Sequence, residues 1–327
     1  MTAVLEGLGV AVPQRVVSNT DLERVLETSD DWIRTRTGIG ERRVAEPGVA
    51  TADMAVEAGA RALKSAGGGS VDMVVVATTS PDRVVPATAP EVASRIGLEP
   101  VAAFDLNAVC SGFVYALGVA AGMLDARSAQ RVLVIGAETL SRITDPADRS
   151  TAVLFGDGGG AAVLRRGEPD EPGAFGPFDL GSDGSMADAL AMPAGGSRRP
   201  ATASTVTGRE HYMRLDGKVV YRHAIARMVA SSRAALHAAR LSPDDIDRFV
   251  GHQANLRILD AVADRLGIAP ERRVVNIDRY GNTSAASIPL ALADAGLAPG
   301  QRVLLTAFGG GFTWGSTTLT WPRLATV

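Results

Sequence analysis

The sequence predicts an α/β fold built from two duplicated halves, on two observations. Short, near-continuous apolar runs alternate with helical patterns, as in sheets buried on both faces. The order of these runs also repeats. ALKSAG (62–67) is matched by ALHAAR (235–240), SVDMVV (70–75) by DIDRFV (245–250), RIG (95–97) by RLG (265–267) and RVLVIGA (131–137) by RVLLTAF (302–308), each displaced by 170 to 175 residues. Four short matches in one order at nearly one offset indicate duplication.

Taken in order, MTAVLEGLGVAVPQRVVSN opens the chain as a strand. It has no basic region before its apolar run and no long hydrophobic core, so it does not read as a signal peptide. The further strand candidates are VDMVVVAT (71–78), VAAFDLN (101–107), RVLVIGA (131–137), RFVGH (248–252), RRVVNI (272–277) and RVLLTAF (302–308). Two helical stretches, SGFVYALGVAAGML and TSAASIPLALADA, are apolar on most sides and are expected to be buried. Each follows a strand and a tight turn in its half, so their positive ends would meet near a pseudo-twofold centre. The stretch 166–217, rich in Gly, Pro, Ser and Arg, reads as an insertion or loop region shaping access to a site. The expected organisation is therefore 1–165, 166–217 and 218–327.

The chain has 327 residues, 46% hydrophobic and 21% charged, enough for a large core. A net charge of −3 argues against a general nucleic-acid binder. The single cysteine excludes an intramolecular disulfide framework and suits the reducing cytosol. No apolar stretch reaches the ~18 residues of a membrane span. The chain is expected to be cytoplasmic, without a membrane or nucleic-acid partner.

That one cysteine, Cys110, sits in AFDLNAVCSGFVYAL, where an apolar run gives way to a helix. A lone buried cysteine is ordinarily an inert small hydrophobe. At a helix N-terminus it is instead placed where the dipole favours thiolate. Of the four histidines, His211, His223 and His237 lie in polar or amphipathic contexts, whereas His252 ends the strand RFVGH, where α/β sites form. Asn282 follows a glycine in YGNTS; on its own it reads as a turn former. The order Cys, His, Asn is also that of papain-like hydrolases, and the 142-residue Cys-to-His separation suits them. The C-G-S-C-W signature is missing, however, and the duplicated α/β plan is wrong. FGDGGG could pass for a phosphate loop but lacks the Gly-Lys-Ser/Thr ending. No metal-ligand cluster is evident.

Five motifs, TSDDWIRTRTGIGERR (28–43), FGDGGGAAVL (155–164), GHQANLRILDAVADRLG (251–267), YGNTSAASIPLAL (280–292) and AFGGGFTWGS (307–316), resemble β-ketoacyl-acyl-carrier-protein synthase III from about residue 5 to the C-terminus. The resemblance implies a thiolase fold, layered αβαβα, and a homodimer. It implies a decarboxylative condensation of an acyl-CoA primer with malonyl-acyl carrier protein, with coenzyme A thioester as substrate and no cofactor or metal. Cys110 would carry the acyl group, its N–H and that of Gly310 would form an oxyanion hole, and His252 and Asn282 would stabilise the enolate. Trp32, Arg36, Thr37 and Arg149 occupy the family's coenzyme A positions. The run Gln253, Ala254, Asn255, Leu256 and Arg257, with Arg222 and Arg265, lies where relatives dock the carrier protein. Val85, on a loop that in relatives closes the partner's acyl pocket, would admit primers larger than acetyl, with Leu190 and Met192 as other pocket candidates. Gly251 and Asp264 depart from the family pattern. A relative acylating a small alcohol or amine would look similar.

Overall fold

The computed structural model describes residues 1–325. One main sheet collects β1 (Thr2–Ala11), β2 (Met73–Ala77), β3 (Ala102–Leu106), β4 (Arg131–Thr139) and β5 (Asp157–Gly167), in the spatial order β1-β5-β4-β2-β3. β2 is parallel to β3 and β4, and β5 is antiparallel to β1 and β4. The other main sheet collects β6 (Asp179–Ser182), β7 (Arg248–Gly251), β8 (Arg302–Gly309) and β9 (Thr313–Thr320), in the order β7-β8-β9-β6, with only β7 and β8 parallel. The helices that cover them are α1 (Asp30–Thr37), α2 (Thr51–Ser65), α3 (Gly112–Asp125), α4 (Gly217–Ala238), α5 (Leu256–Leu266) and α6 (Ser287–Asp294).

Strand alternation sets the layering. Val74 and Val76 pack with Ala55, Ala58 and Ala62 of α2, while Val75 and Ala77 face the cluster of Phe113 and Leu117 on α3 and Ile288 on α6. From the second sheet Val303 and Leu305 join that central cluster, and Leu304 points the other way, to Met228 of α4 and Val262 of α5. Five layers result: α2, sheet, α3 with α6, sheet, α4 with α5. The central helices are apolar on nearly all sides because both of their faces meet a sheet.

The duplication is visible in the backbone. Each central helix is entered through one 3₁₀ turn, Val109–Ser111 and Ser284–Ala286. In each half a non-glycine residue of that turn holds a left-handed conformation, Val109 at φ 49° and Ser284 at φ 49°, which costs of order 1–3 kcal/mol. The turns pack closely under β4: a β-carbon at Gly136 would come within 2.4 Å of the Ala285 carbonyl oxygen, so only glycine fits.

Two expectations need correction. RRVVNI is not a ladder strand; it makes one bridge, Phe249 to Arg273, between a 3₁₀ turn at Pro270–Arg272 and a short helix at Ile277–Tyr280. The Gln253 side chain donates to the Val274 carbonyl and accepts from Asn276 N–H, taking backbone groups that a longer ladder would use. The stretch 166–217 is not all loop, since β6 adds an edge strand to the second sheet. Among the described residues no helix is long and apolar enough to cross a membrane.

Candidate active site

Cys110 lies in the turn before α3, 6% exposed, at the wall of a cavity of about 550 Å³ that His252 and Asn282 also line. Burial pushes its thiol up to about 12; the neighbouring Ser284 hydroxyl pulls it down and the Glu138 carboxyl raises it further. Burial outweighs the pull of Ser284 and of the start of α3, which also favours the anion, so the resting group is a thiol. Thr313, at the head of β9, ties the turn down: its hydroxyl donates to Ala108 O at 2.9 Å and hydrogen-bonds the Ser111 hydroxyl at 2.6 Å. Gly309 lies directly against the same turn, where an added β-carbon would be 2.7 Å from Cys110 N.

His252 follows β7 and is anchored by its N–H to the Thr306 carbonyl at 2.8 Å. Its Nδ1 is 2.6 Å from the Ser287 hydroxyl, which itself accepts from Gln253 N–H at 3.4 Å. We assign the Ser287 proton to that short contact, because its oxygen already accepts elsewhere; the ring proton then sits on Nε2. That Nε2 is buried without a partner among the described residues and can serve a group in the cavity. Burial pulls the imidazole down to about 3, so it is neutral at physiological pH. Asn282 is reached through Gly281, whose φ of 67° suits glycine. Its Oδ1 accepts from Ser284 N–H at 2.9 Å, which directs the carboxamide's donor edge away from that contact.

At the mouth, Trp32 of α1 is flanked by two guanidinium groups, Arg149 at 4.8 Å and Arg36 at 5.2 Å from the ring centre. This flat, cationic surface suits a nucleotide with phosphates. Thr37 lines the cavity, but its hydroxyl is spent within the fold, donating to Ile33 O and accepting from Ile39 N–H.

Two family models match, 3-oxoacyl-[acyl-carrier-protein] synthase III over residues 104–184 and its C-terminal part over 236–321. The chain is 57% identical to β-ketoacyl-[acyl-carrier-protein] synthase III 5 of Streptomyces coelicolor, over 98% of each chain. The chain belongs to the β-ketoacyl-acyl-carrier-protein synthase III family. Among solved synthase III structures, that from Pseudomonas aeruginosa is 45% identical and superposes with a TM-score of 0.93 over 100% of both chains. The priming β-ketosynthase of a polyketide biosynthetic pathway is 36% identical, with a TM-score of 0.91 over 99% of this chain and 97% of that one.

Within this synthase III fold the remaining expected residues fall unevenly. Ala254, Asn255 and Arg257 line the mouth; Asn255 caps α5 and donates to Arg36 O, and Arg257 is exposed over Tyr221. Arg222 on α4 and Arg265 on α5 are also exposed. Gln253 is not available for docking, being 1% exposed with its amide bonded to Gly251 and Val274. Leu256 packs inward with Ile33 and Ile277. Leu190 lines the cavity and abuts Gly310, whereas Met192, 45% exposed, stands outside it. Val85, 81% exposed, also lies outside this chain's own cavity. The sequence reading missed Ser284, Ser287 and Glu138 beneath the site, and Lys218 and Tyr221 at its mouth. Serines and a glutamate carry no local signal, although Ser284 and Ser287 both lie inside the quoted NTSAAS run.

Proposed function

We propose that this protein condenses an acyl-CoA primer with malonyl-acyl carrier protein, releasing CO₂ and coenzyme A, as the initiating step of fatty-acid or polyketide synthesis. The observation that carries the reading is one cavity lined by a thiol at a helix start, a neutral histidine with an unpartnered Nε2 and an oriented asparagine amide. Cys110 attacks the primer thioester, coenzyme A leaves, and the acyl-enzyme remains. The N–H of Cys110 and one from the 309–311 run, Gly310 in our reading, receive the oxyanion. Malonyl-carrier protein then enters and loses CO₂. Nε2–H of His252 and the Asn282 amide stabilise the enolate oxygen, and the enolate carbon attacks the acyl-enzyme and releases the sulfur. These steps balance without a metal or redox group.

Trp32 with Arg36 and Arg149 supports a coenzyme A site, and exposed Arg257 supports docking of an acidic carrier protein. β3 is the free edge of its sheet, and the loop between β2 and the helix Thr88–Ile96 that precedes β3 exposes Val84 and Val85. An unpaired edge beside exposed apolar side chains supports a homodimer joined there, with Val85 reaching the partner's pocket. The lone cysteine supports a reducing, cytoplasmic setting.

Intact-mass measurement after incubation with mixed acyl-CoAs tests the reading. An acyl adduct is expected on wild type and none on Cys110→Ala. His252→Ala and Asn282→Ala should acylate but fail to condense. Peptide cleavage without condensation would replace this reading with a hydrolase.

A further inference from the structure

One cation of the fold is buried with no carboxylate bonded to it among the described residues. Arg42, on the short strand Glu41–Arg43, is 1% exposed. Its guanidinium donates only to neutral oxygens: Nη1 to Val17 O at 3.1 Å, and Nη2 to Asn19 Oδ1 at 2.9 Å and to Val153 O at 2.8 Å. Burial pulls it down to about 10, so it keeps its charge at physiological pH. Holding a desolvated cation on neutral oxygens alone is costly, and the segments it joins show what the charge achieves. Val153 directly follows the helix Arg149–Ala152. Asn19 is also 1% exposed, and its Nδ2 donates to Asp30 Oδ1 and to Ile39 O, both at 2.8 Å. Asp30 opens α1 and Ile39 lies just beyond its end. Both ends of the helix that carries Trp32 and Arg36 are therefore tied, through one amide and one guanidinium, to the segment that carries Arg149.

We propose that Arg42 is a positioning residue that sets the separation between Trp32 and Arg149, and with it the grip of the mouth on the nucleotide end of a coenzyme A thioester. The inference rests on the reading of that mouth given above. Arg42 does not line the cavity and touches no substrate. It acts from behind, with one Nη2 bridging the α1 side to the Arg149 side. A planar guanidinium suits this task because its donors fix direction as well as distance. The other links between the two sides do not set the spacing. Ile33 packs with Val153 through apolar contact, which is non-directional. Arg149 Nη1 donates to Glu27 O at 2.8 Å, but that bond is exposed and belongs to the side chain being placed. A flat ligand held by an indole and guanidinium groups needs them at contact distance, so a small shift of α1 weakens binding.

The nucleophile is insulated from this arrangement. Cys110 sits in the turn before α3, which Thr313 ties to β9. None of the three oxygens that Arg42 holds belongs to either element. Leu154, next to Val153, accepts from Asn282 N–H at 2.9 Å, so the effect is read on acylation, in which Asn282 has no part. Arg42→Met removes the fork and keeps the stem. That stem packs closely, since a β-carbon on Gly281 would stand 3.1 Å from the Arg42 β-carbon.

The test is single-turnover acylation of Cys110, followed by intact mass against thioester concentration, for wild type, Arg42→Met and Arg42→Lys. Each is loaded with one acyl group carried on coenzyme A or on pantetheine, which lacks the nucleotide and its phosphates. The group is whichever of acetyl, isobutyryl and hexanoyl wild type takes up fastest. Arg42→Met is expected to raise the half-saturating acyl-CoA concentration about tenfold, as a misplacement below 1 Å would, with the saturating rate and acyl-pantetheine loading within about twofold of wild type. Arg42→Lys keeps the charge without the planar fork and should match Arg42→Met. A lysine variant with wild-type affinity would overturn the proposal, because charge alone would then suffice. Equal losses with both thioesters, or an unchanged half-saturating concentration in a folded Arg42→Met, would overturn it as well. If Arg42→Met fails to fold by circular dichroism, Asn19→Ala, which cuts only the arm to α1, decides by the same readings. If that variant also fails to fold, the cluster serves stability and the proposal falls. Wild type that loads from neither thioester would count against the condensing site itself, and equal loading from both against the coenzyme A mouth. A wild-type preference for acyl-CoA that the variants retain counts against Arg42 alone.

Discussion

Gly309→Ala probes how the nucleophile is held. The new methyl group would sit 2.7 Å from Cys110 N, 2.9 Å from Ala108 O and 3.0 Å from Ser111 N, all backbone atoms. Ordinary contact begins at 3.4 Å, so the turn and β8 must separate by about 0.7 Å. No side chain can rotate away to absorb this. Overpacking of this kind costs about 1–3 kcal/mol, or several degrees of melting temperature at about 2–4 °C per kcal/mol. The larger effect falls on chemistry. A misplacement of 1 Å costs about 10²-fold, so a turn displaced by most of that should acylate at least about tenfold more slowly. Gly122→Ala, further along α3, is the control, because its β-carbon would meet nothing within 4 Å, and should cost much less. The assay is the single-turnover rate of adduct formation on Cys110 by mass, with thermal unfolding on the same samples. A Gly309→Ala protein that acylates at the wild-type rate with an unchanged melting temperature would refute the reasoning.

His252 makes stability depend on pH: its folded value of about 3 lies below the unfolded 6.5, so the unfolded chain gains a proton that the folded protein refuses. Between those values stability should fall by roughly 1.4 kcal/mol per pH unit as pH drops, and urea unfolding should show wild type losing about 2 kcal/mol more than His252→Ala between pH 6.5 and 5; equal losses would contradict this. Trp32→Ala should raise KM for acyl-CoA several-fold while iodoacetamide alkylation of Cys110 stays unchanged, and a fall in kcat alone would count against a nucleotide platform. Arg257→Glu should weaken the carrier-protein half-reaction, more at low salt than at high salt, and leave acyl-CoA loading nearly intact; equal loss in both half-reactions would remove its docking role. In competition among acetyl-, isobutyryl- and hexanoyl-CoA, wild type should load the larger primers, and Val85→Phe should shift preference about tenfold toward acetyl. Loading by acetyl-CoA alone in both proteins would leave Val85 without a role.

That Cys110, His252 and Asn282 meet at one cavity was legible because cysteine and histidine are scarce here and each candidate stands at the end of an element, where a sheet delivers side chains to a cavity. The layers were legible because apolar runs and two all-round apolar helices leave few other ways to bury their surface. The support beneath the trio was not legible. Ser284 and Glu138 meet across 146 residues of chain, and neither residue type is unusual at its position. RRVVNI misled because its composition suits a strand, while a single side chain, Gln253, occupies the backbone groups that would have made it one. Helix position alone suggested a thiolate at Cys110; only the burial seen in the fold shows a resting thiol that needs somewhere to send its proton.

Because Val109 and Ser284 hold the same left-handed bend, the two helix starts are equivalent as frameworks and differ only in cargo. One copy presents the reagent, and the other presents the serine and asparagine that attend it. Doubling the scaffold has therefore yielded one reaction centre in place of two. A lesion in the copy without the nucleophile should stop condensation while leaving the other copy able to take up its acyl group. Two chains damaged in opposite halves, Cys110→Ala in one and Asn282→Ala in the other, cannot restore turnover by pairing, since each working centre draws both its parts from a single polypeptide.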